Sequence, residues 1–218
     1  MTRVVQADGA ILQRIVATTP LVAYRGLSRE AFVKYDAAQA RTPWALRHRR
    51  RFALMHADIV LASAERYDLT GRLDRQLVSI CGIGALLDNG ADDDGRSYAG
   101  VLVEQLLQDA ERDGADLALL FRTAAPTSRV PDGFEVVPTT DVELTVTESS
   151  RYGAPMTLVR AGEDRDLGAI VAMGHTRADP FRFHIDRDVD LIKTRDYQKA
   201  AARRAGVRWG PPARVRHC

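Results

Sequence analysis

Six consecutive residues, Asp94-Gly95-Arg96-Ser97-Tyr98-Ala99, stand where a polar loop runs into a long amphipathic segment. If that segment is a helix, its first N–H groups have no intrahelical partner, and the helix dipole adds positive character there. Such a place suits the phosphates of a nucleotide cofactor. Charge of the wrong sign lies beside it, because Asp92, Asp93 and Asp94 put three carboxylates where an anion would bind. A like-charge pair about 4 Å apart at an effective dielectric of about 20 costs about 4 kcal/mol before solvent screening.

Other residue groups have sharper readings that the sequence does not support as well. Gly82-Ile83-Gly84 begins a dinucleotide fingerprint but lacks its third glycine and a helix directly after it. The consecutive carboxylates of Asp92-Asp93-Asp94-Gly95 do not alternate as in a calcium loop, so a solvated loop is favoured. The basic run Arg47-His48-Arg49-Arg50-Arg51 reads as a solvated helix end before a nucleic-acid patch. His56 reads as a turn residue, Glu65 as a surface carboxylate paired with a neighbour such as Arg66, and Cys81 as a small core hydrophobe. Tyr98 could touch a ligand or simply pack.

These residues need a frame of strands and helices to hold them. Ser28 caps a helix expected to run to about Gln39, with Ala31, Phe32, Tyr35 and Ala38 on one stripe. Thr42-Pro43 ends or restarts it. Phe52 to Leu69 predicts two strands with a turn near His56-Ala57-Asp58, and Thr70-Gly71 with Leu73-Asp74 predicts another turn. Leu77 to Leu87 is a second apolar run. The helix after the loop is the strongest signal: Ala99, Leu102, Val103, Leu106, Leu107 and Ala110 share a face, and Gly114 ends it. Leu117 to Phe121 predicts a buried strand. Gly133–Pro138, Val142–Val146 and Met156–Ala161 are further strand candidates, and a helix begins near Asp164.

Composition sets the outer bounds. The chain has 218 residues, 45% hydrophobic and 28% charged, which is ordinary for a globular domain. Its two cysteines, Cys81 and Cys218, make no disulfide framework, so a reducing, cytoplasmic setting is expected. No export signal or membrane-length apolar run is evident. The net charge of +2 is uneven. Lys199, Arg203, Arg204, Arg208, Arg214 and Arg216 form a basic tail without an acid, leaving 25 basic and 29 acidic residues elsewhere. That tail holds one aromatic, Trp209, which argues against a stacking platform for single-stranded nucleic acid.

Taken together, Ile83-Gly84-Ala85-Leu86-Leu87 before the loop, Asp113-Gly114-Ala115-Asp116-Leu117 after the helix, and Gly133-Phe134-Glu135 beyond resemble the GNAT family of N-acetyltransferases. The family's loop pattern, Gln/Arg-x-x-Gly-x-Gly/Ala, falls on Asp94-x-x-Ser97-x-Ala99. The resemblance spans about Arg51 to Val146. It implies an α/β (α+β) fold with a mixed, mostly antiparallel central sheet flanked by helices. It implies acetyl-CoA as co-substrate, with Gly95, Arg96, Ser97, Tyr98 and Ala99 on the pyrophosphate and Ala85, Leu86 and Leu87 pairing with the pantetheine arm. The acceptor would be an amine on a small molecule or peptide, with neither membrane nor nucleic acid as partner.

Residues 1–150 are expected as that acyl-CoA-binding domain. Residues 151–218 look like the start of a second such domain, truncated or divergent, unless they pack on the first. Two departures from the family pattern frame an alternative. Asp94 stands where a basic or amide residue is usual, and Pro126-Thr127-Ser128-Arg129-Val130-Pro131-Asp132 lacks the tyrosine that many members use as general acid. The catalytic residues are thus unassigned, and the alternative is a catalytically silent binding or regulatory module on the same fold.

Overall fold

In the computed structural model, residues 1–19, 28–121, 133–137 and 163–194 are described. Strand β1 (Thr2–Gln6) leads into helix α1 (Gly9–Thr18), which Asp8 caps through the N–H groups of Ala10 and Ile11. Helix α2 (Arg29–Ala40) starts at the Ser28 cap, and α3 (Pro43–His48) starts at Thr42 with proline in its first turn. The long strands β2 (Arg49–His56), β3 (Ile59–Leu73) and β4 (Gln76–Asp88) follow as an antiparallel meander. Helix α4 (Tyr98–Arg112) then crosses over to β5 (Leu117–Leu120), which pairs parallel with β4. A 3-10 turn (Asp164–Asp166), helix α5 (Leu167–Ala178) and strand β6 (Phe183–Ile185) follow, and residues 189–194 are helical.

The sheet runs β1-β2-β3-β4-β5, with β6 added beside β3 at Gly71–Leu73. The fold is a mixed α/β arrangement, a six-stranded, mostly antiparallel sheet flanked by helices. Two apolar layers hold it. On one face Ala99, Leu102, Val103, Leu106 and Ala110 of α4 pack on Leu54, Ala62, Ala64, Cys81 and Ile83. On the other, Ile15 of α1 packs on Ala53, Met55 and Val60. The helical stripe read from spacing is therefore the buried face of α4. Gly114, at φ +83°, takes the left-handed turn that ends it.

Several expectations change. The basic run is the last turn of α3 and the start of β2, because strand pairing begins at Arg49 opposite Tyr67. Thr70 and Gly71 lie inside β3, and the hairpin turns at Asp74 and Arg75, both at positive φ. That pair of left-handed residues gives the turn twist that long antiparallel strands favour. Residues 133–137 form no strand, with Val136 and Val137 exposed. The candidates at 142–146 and 156–161 lie outside the described residues. Residues 163–194 meet the rest of the chain through β6, through an Arg47–Asp190 ion pair, and through a 3.1 Å hydrogen bond from Thr194 to Thr42.

Candidate functional site

Among the described residues, β4 pairs with β5 over only part of its length. Its ladder with β5 covers Ile80 to Ile83, and Phe121 N–H donates to the Ile83 carbonyl at 2.7 Å. Beyond that point Gly84 to Asp88 continue along β3 alone among the described strands. A β-bulge interrupts the β3–β4 ladder here. Ser63 pairs with Leu87 and Glu65 with Gly84, so one residue of β3 faces two of β4, Ala85 and Leu86. Ala85 takes φ +48°, a left-handed conformation that costs a non-glycine residue free energy and turns the strand. Ala85 is exposed, and Leu86 and Leu87 are half-buried.

Strand β4 ends at Asp88, and the loop returns to α4 beside it. Ser97 caps the helix, accepting from Gly100 N–H at 3.1 Å. Asp88 lies against the same helix start. It accepts from Ser97 Oγ at 2.5 Å and from the N–H groups of Ala99 and Gly90 at 3.3 Å. Asp92 closes the loop from the other side, taking Arg96 N–H on its carboxylate at 2.7 Å and Gly95 N–H on its carbonyl at 3.0 Å. Tyr98 N–H donates to the Gly90 carbonyl at 3.1 Å. Of the five candidate phosphate-loop residues, Gly95, Arg96, Tyr98 and Ala99 thus already direct their N–H groups to acceptors within the chain. The Arg96 guanidinium pairs with Glu104 at 2.8 Å. The structure brings Ala85, Leu86 and Leu87 and the loop residues to one end of the sheet, with Asp88 between them.

The sheet face opposite α4 carries a polar cluster that sequence reading missed. Glu65, 6% exposed at its side chain, receives Arg49, Arg51 and the Tyr67 hydroxyl. Asp36 of α2 pairs with Arg49 at 2.5 Å and Arg51 at 3.2 Å. Burial alone would raise the Glu65 carboxyl, but Arg51 and Arg49 bring it down to about 2. Burial and the adjacent carboxylate push the Tyr67 phenol well above its ordinary value. Burial opposes the charge on Arg49, yet Glu65 and Asp36 raise it above its ordinary value. Glu65 is therefore a buried, fully committed anion rather than a surface carboxylate beside Arg66. Arg66 points to the α4 face, binding Asp68 and Asp113.

Tyr67 connects this cluster to β4. Trp44 of α3 stacks near it, ring centres 6.3 Å apart. A Cβ on Gly84 would lie 3.4 Å from the Tyr67 ring, and one on Gly82 would meet Phe121 at 3.0 Å and Leu69 at 3.1 Å. The two glycines thus let Tyr67 and Phe121 lie flat on β4. The signal for the cluster was present in sequence as alternation: Arg49 and Arg51 share a strand face, as do Glu65 and Tyr67. His56 is exposed at the end of β2, and Cys81 is buried, which raises its thiol. A cleft of about 330 Å³ opens near the far end of α4, away from the loop that precedes that helix, among Arg50, Arg66, Asp68 and Asp113.

No helix among the described residues is long and apolar enough to cross a membrane. No protein-family model matches the chain, and no curated protein matches it. Solved structures do show similarity. A GNAT family acetyltransferase from Staphylococcus aureus subsp. aureus USA300_TCH1516 is 8% identical with a TM-score of 0.44, over 64% of this chain and 98% of that one. An aminoglycoside N-acetyltransferase in complex with CoA is 10% identical with a TM-score of 0.43, over 56% of this chain and 78% of that one. A transcriptional regulator from Bacillus halodurans C-125 is 13% identical with a TM-score of 0.43, over 56% of this chain and 83% of that one.

Proposed function

We propose that this chain is an acyl-thioester-binding domain of the N-acetyltransferase type, using acetyl-CoA to acetylate an amine on a small molecule or peptide. The observation that carries the reading is the Ala85 bulge of β4, set beside the start of α4. Past Ile83, its last pairing with the described residues of β5, β4 runs on to Asp88 through that bulge. In this reading an extended ligand lies along the backbone of Gly84–Leu87 on the side away from β3, and the pantetheine arm, with its two amides, pairs with it as an added strand. In this reading Ala85, Leu86 and Leu87 hold that arm, and Gly95, Arg96, Ser97, Tyr98 and Ala99 face the phosphate end. The amine attacks the acetyl carbon, an oxyanion forms, and the thiolate leaves as the amine loses its proton.

The buried cluster bounds what its members do in such a reaction. Glu65 at about 2 is too weak a base to take a proton from an ammonium near neutral pH. The Tyr67 hydroxyl keeps its proton and donates it in a hydrogen bond to Glu65. Both groups position the β3–β4 floor rather than move protons.

A second reading, a silent binding module, is favoured by one observation: the loop that should meet the pyrophosphate already donates its N–H groups to Asp88, Asp92 and Gly90. Calorimetric titration with acetyl-CoA and desulfo-CoA separates the two. The enzyme reading expects binding by millimolar ligand and thiol release with some member of an amine panel. Binding without thiol release supports the silent module, and no binding at millimolar ligand sinks the enzyme reading. The β6–β3 pairing supports placing residues 163–194 on this domain rather than apart from it.

A further inference from the structure

We infer that Asp88 sets which end of an acyl-thioester donor this protein recognises: its carboxylate fills the anion position at the start of α4, so the site engages the pantetheine end and gains little from the pyrophosphate. The inference rests on the acyl-thioester reading above and refines its donor class. Three contacts place Asp88 there. Its Oδ2 accepts from Ser97 Oγ at 2.5 Å, and its Oδ1 accepts from Ala99 N–H and Gly90 N–H, each at 3.3 Å. Ala99 is the second residue of α4, so that N–H is one of the groups a bound phosphate would use.

Asp88 is also the last residue of β4, the strand that would hold the pantetheine arm. An arm lying along Gly84–Leu87 leads directly to Asp88, so the carboxylate stands where the first phosphate would arrive. The surrounding groups add to the effect. Asp92, Asp93 and Asp94 lie in the same loop, and the loop's one cation, Arg96, is paired with Glu104. The helix dipole therefore stabilises an anion that belongs to the protein. A phosphate must displace it and then meet uncompensated negative charge, whereas an uncharged pantetheine need not enter that space.

The test is calorimetric titration of the full chain with CoA and with pantetheine, for wild type, Asp88→Asn and Asp88→Ser. Asn keeps an acceptor for Ala99 N–H, and Ser opens the space, so one probes charge and the other occupancy. Wild type is expected to bind the two ligands within about threefold of each other. Both variants are expected to tighten CoA by about tenfold or more, with pantetheine unchanged within about twofold, the gain shrinking as salt is raised. Wild type preferring CoA by about tenfold or more would overturn the inference, as would an unchanged CoA-to-pantetheine ratio in both variants; should a variant not fold, the wild-type ratio decides. Failure of every protein to bind pantetheine would instead remove the acyl-thioester reading, and the inference with it.

Discussion

Two carboxylates, Glu65 and Asp88, organise the two ends of the candidate site, and they are held in opposite ways. Glu65 is buried and surrounded by full charges, Arg49 and Arg51, with the Tyr67 hydroxyl on its remaining oxygen. Asp88 is exposed and held by partial charges, two backbone N–H groups and a serine hydroxyl. Taking Glu65 out of its setting strands two guanidiniums in a low-dielectric layer. Taking Asp88 out leaves N–H groups that water or another anion satisfies. The first carboxylate is thus part of the frame, and the second is the one a ligand can replace.

The largest effect should come from breaking the buried end. Glu65→Ala is expected to destabilise the fold by about 3–5 kcal/mol, read by denaturant unfolding; a loss below about 1 kcal/mol would mean the arginines find water and the site is wet. Acid should act on the same group. With the folded carboxyl at about 2 and its ordinary value at 4.5, its contribution is present above the ordinary value and is lost as pH falls towards 2. That amounts to about 3 kcal/mol. Melting curves from pH 6 down to pH 2 should therefore fall less steeply for Glu65→Gln than for the wild-type chain, and equal slopes would disprove the assignment.

The exposed end should respond less. Ser97→Ala, which deletes the cap and one partner of Asp88, is expected to cost about 1 kcal/mol by the same unfolding measurement. Asp94→Arg should change stability by less than about 0.5 kcal/mol. It should still tighten CoA in calorimetry, and unchanged or weaker binding would argue that the loop does not face the phosphates.

Local signals made some of this molecule legible. The α4 stripe could be read because Leu102, Val103 and Leu106 recur at helical spacing and all are buried. The Ser28 and Thr42 caps were readable for the same local reason. What could not be read depended on partners far away in sequence. Arg49 and Arg51 look solvated until register places them opposite Tyr67 and Glu65. Asp88 looks like an ordinary strand end until the loop brings Ser97 back to it, nine residues later. β1 and α1 were missed although Ile11, Leu12, Ile15 and Val16 recur at helical spacing, because the Asp8 cap went unnoticed in a short, mixed segment. The bulge in β4 turns on Ala85, where a residue type that rarely takes positive φ gives no warning.

Strand β3 has one more consequence. From Ala62 to Tyr67 it lies between β2 and β4, and at Gly71–Leu73 between β6 and β4. Its backbone can be reached by solvent only when neighbouring strands leave, so it acts as the keel of the molecule. Deuterium should enter its central amides last, at the rate of whole-molecule opening, and early labelling of Ala64 to Tyr67 would show a softer centre. A ligand lying along β4 would then rest against the slowest-breathing part of the protein, with the mobile chemistry confined to the rim.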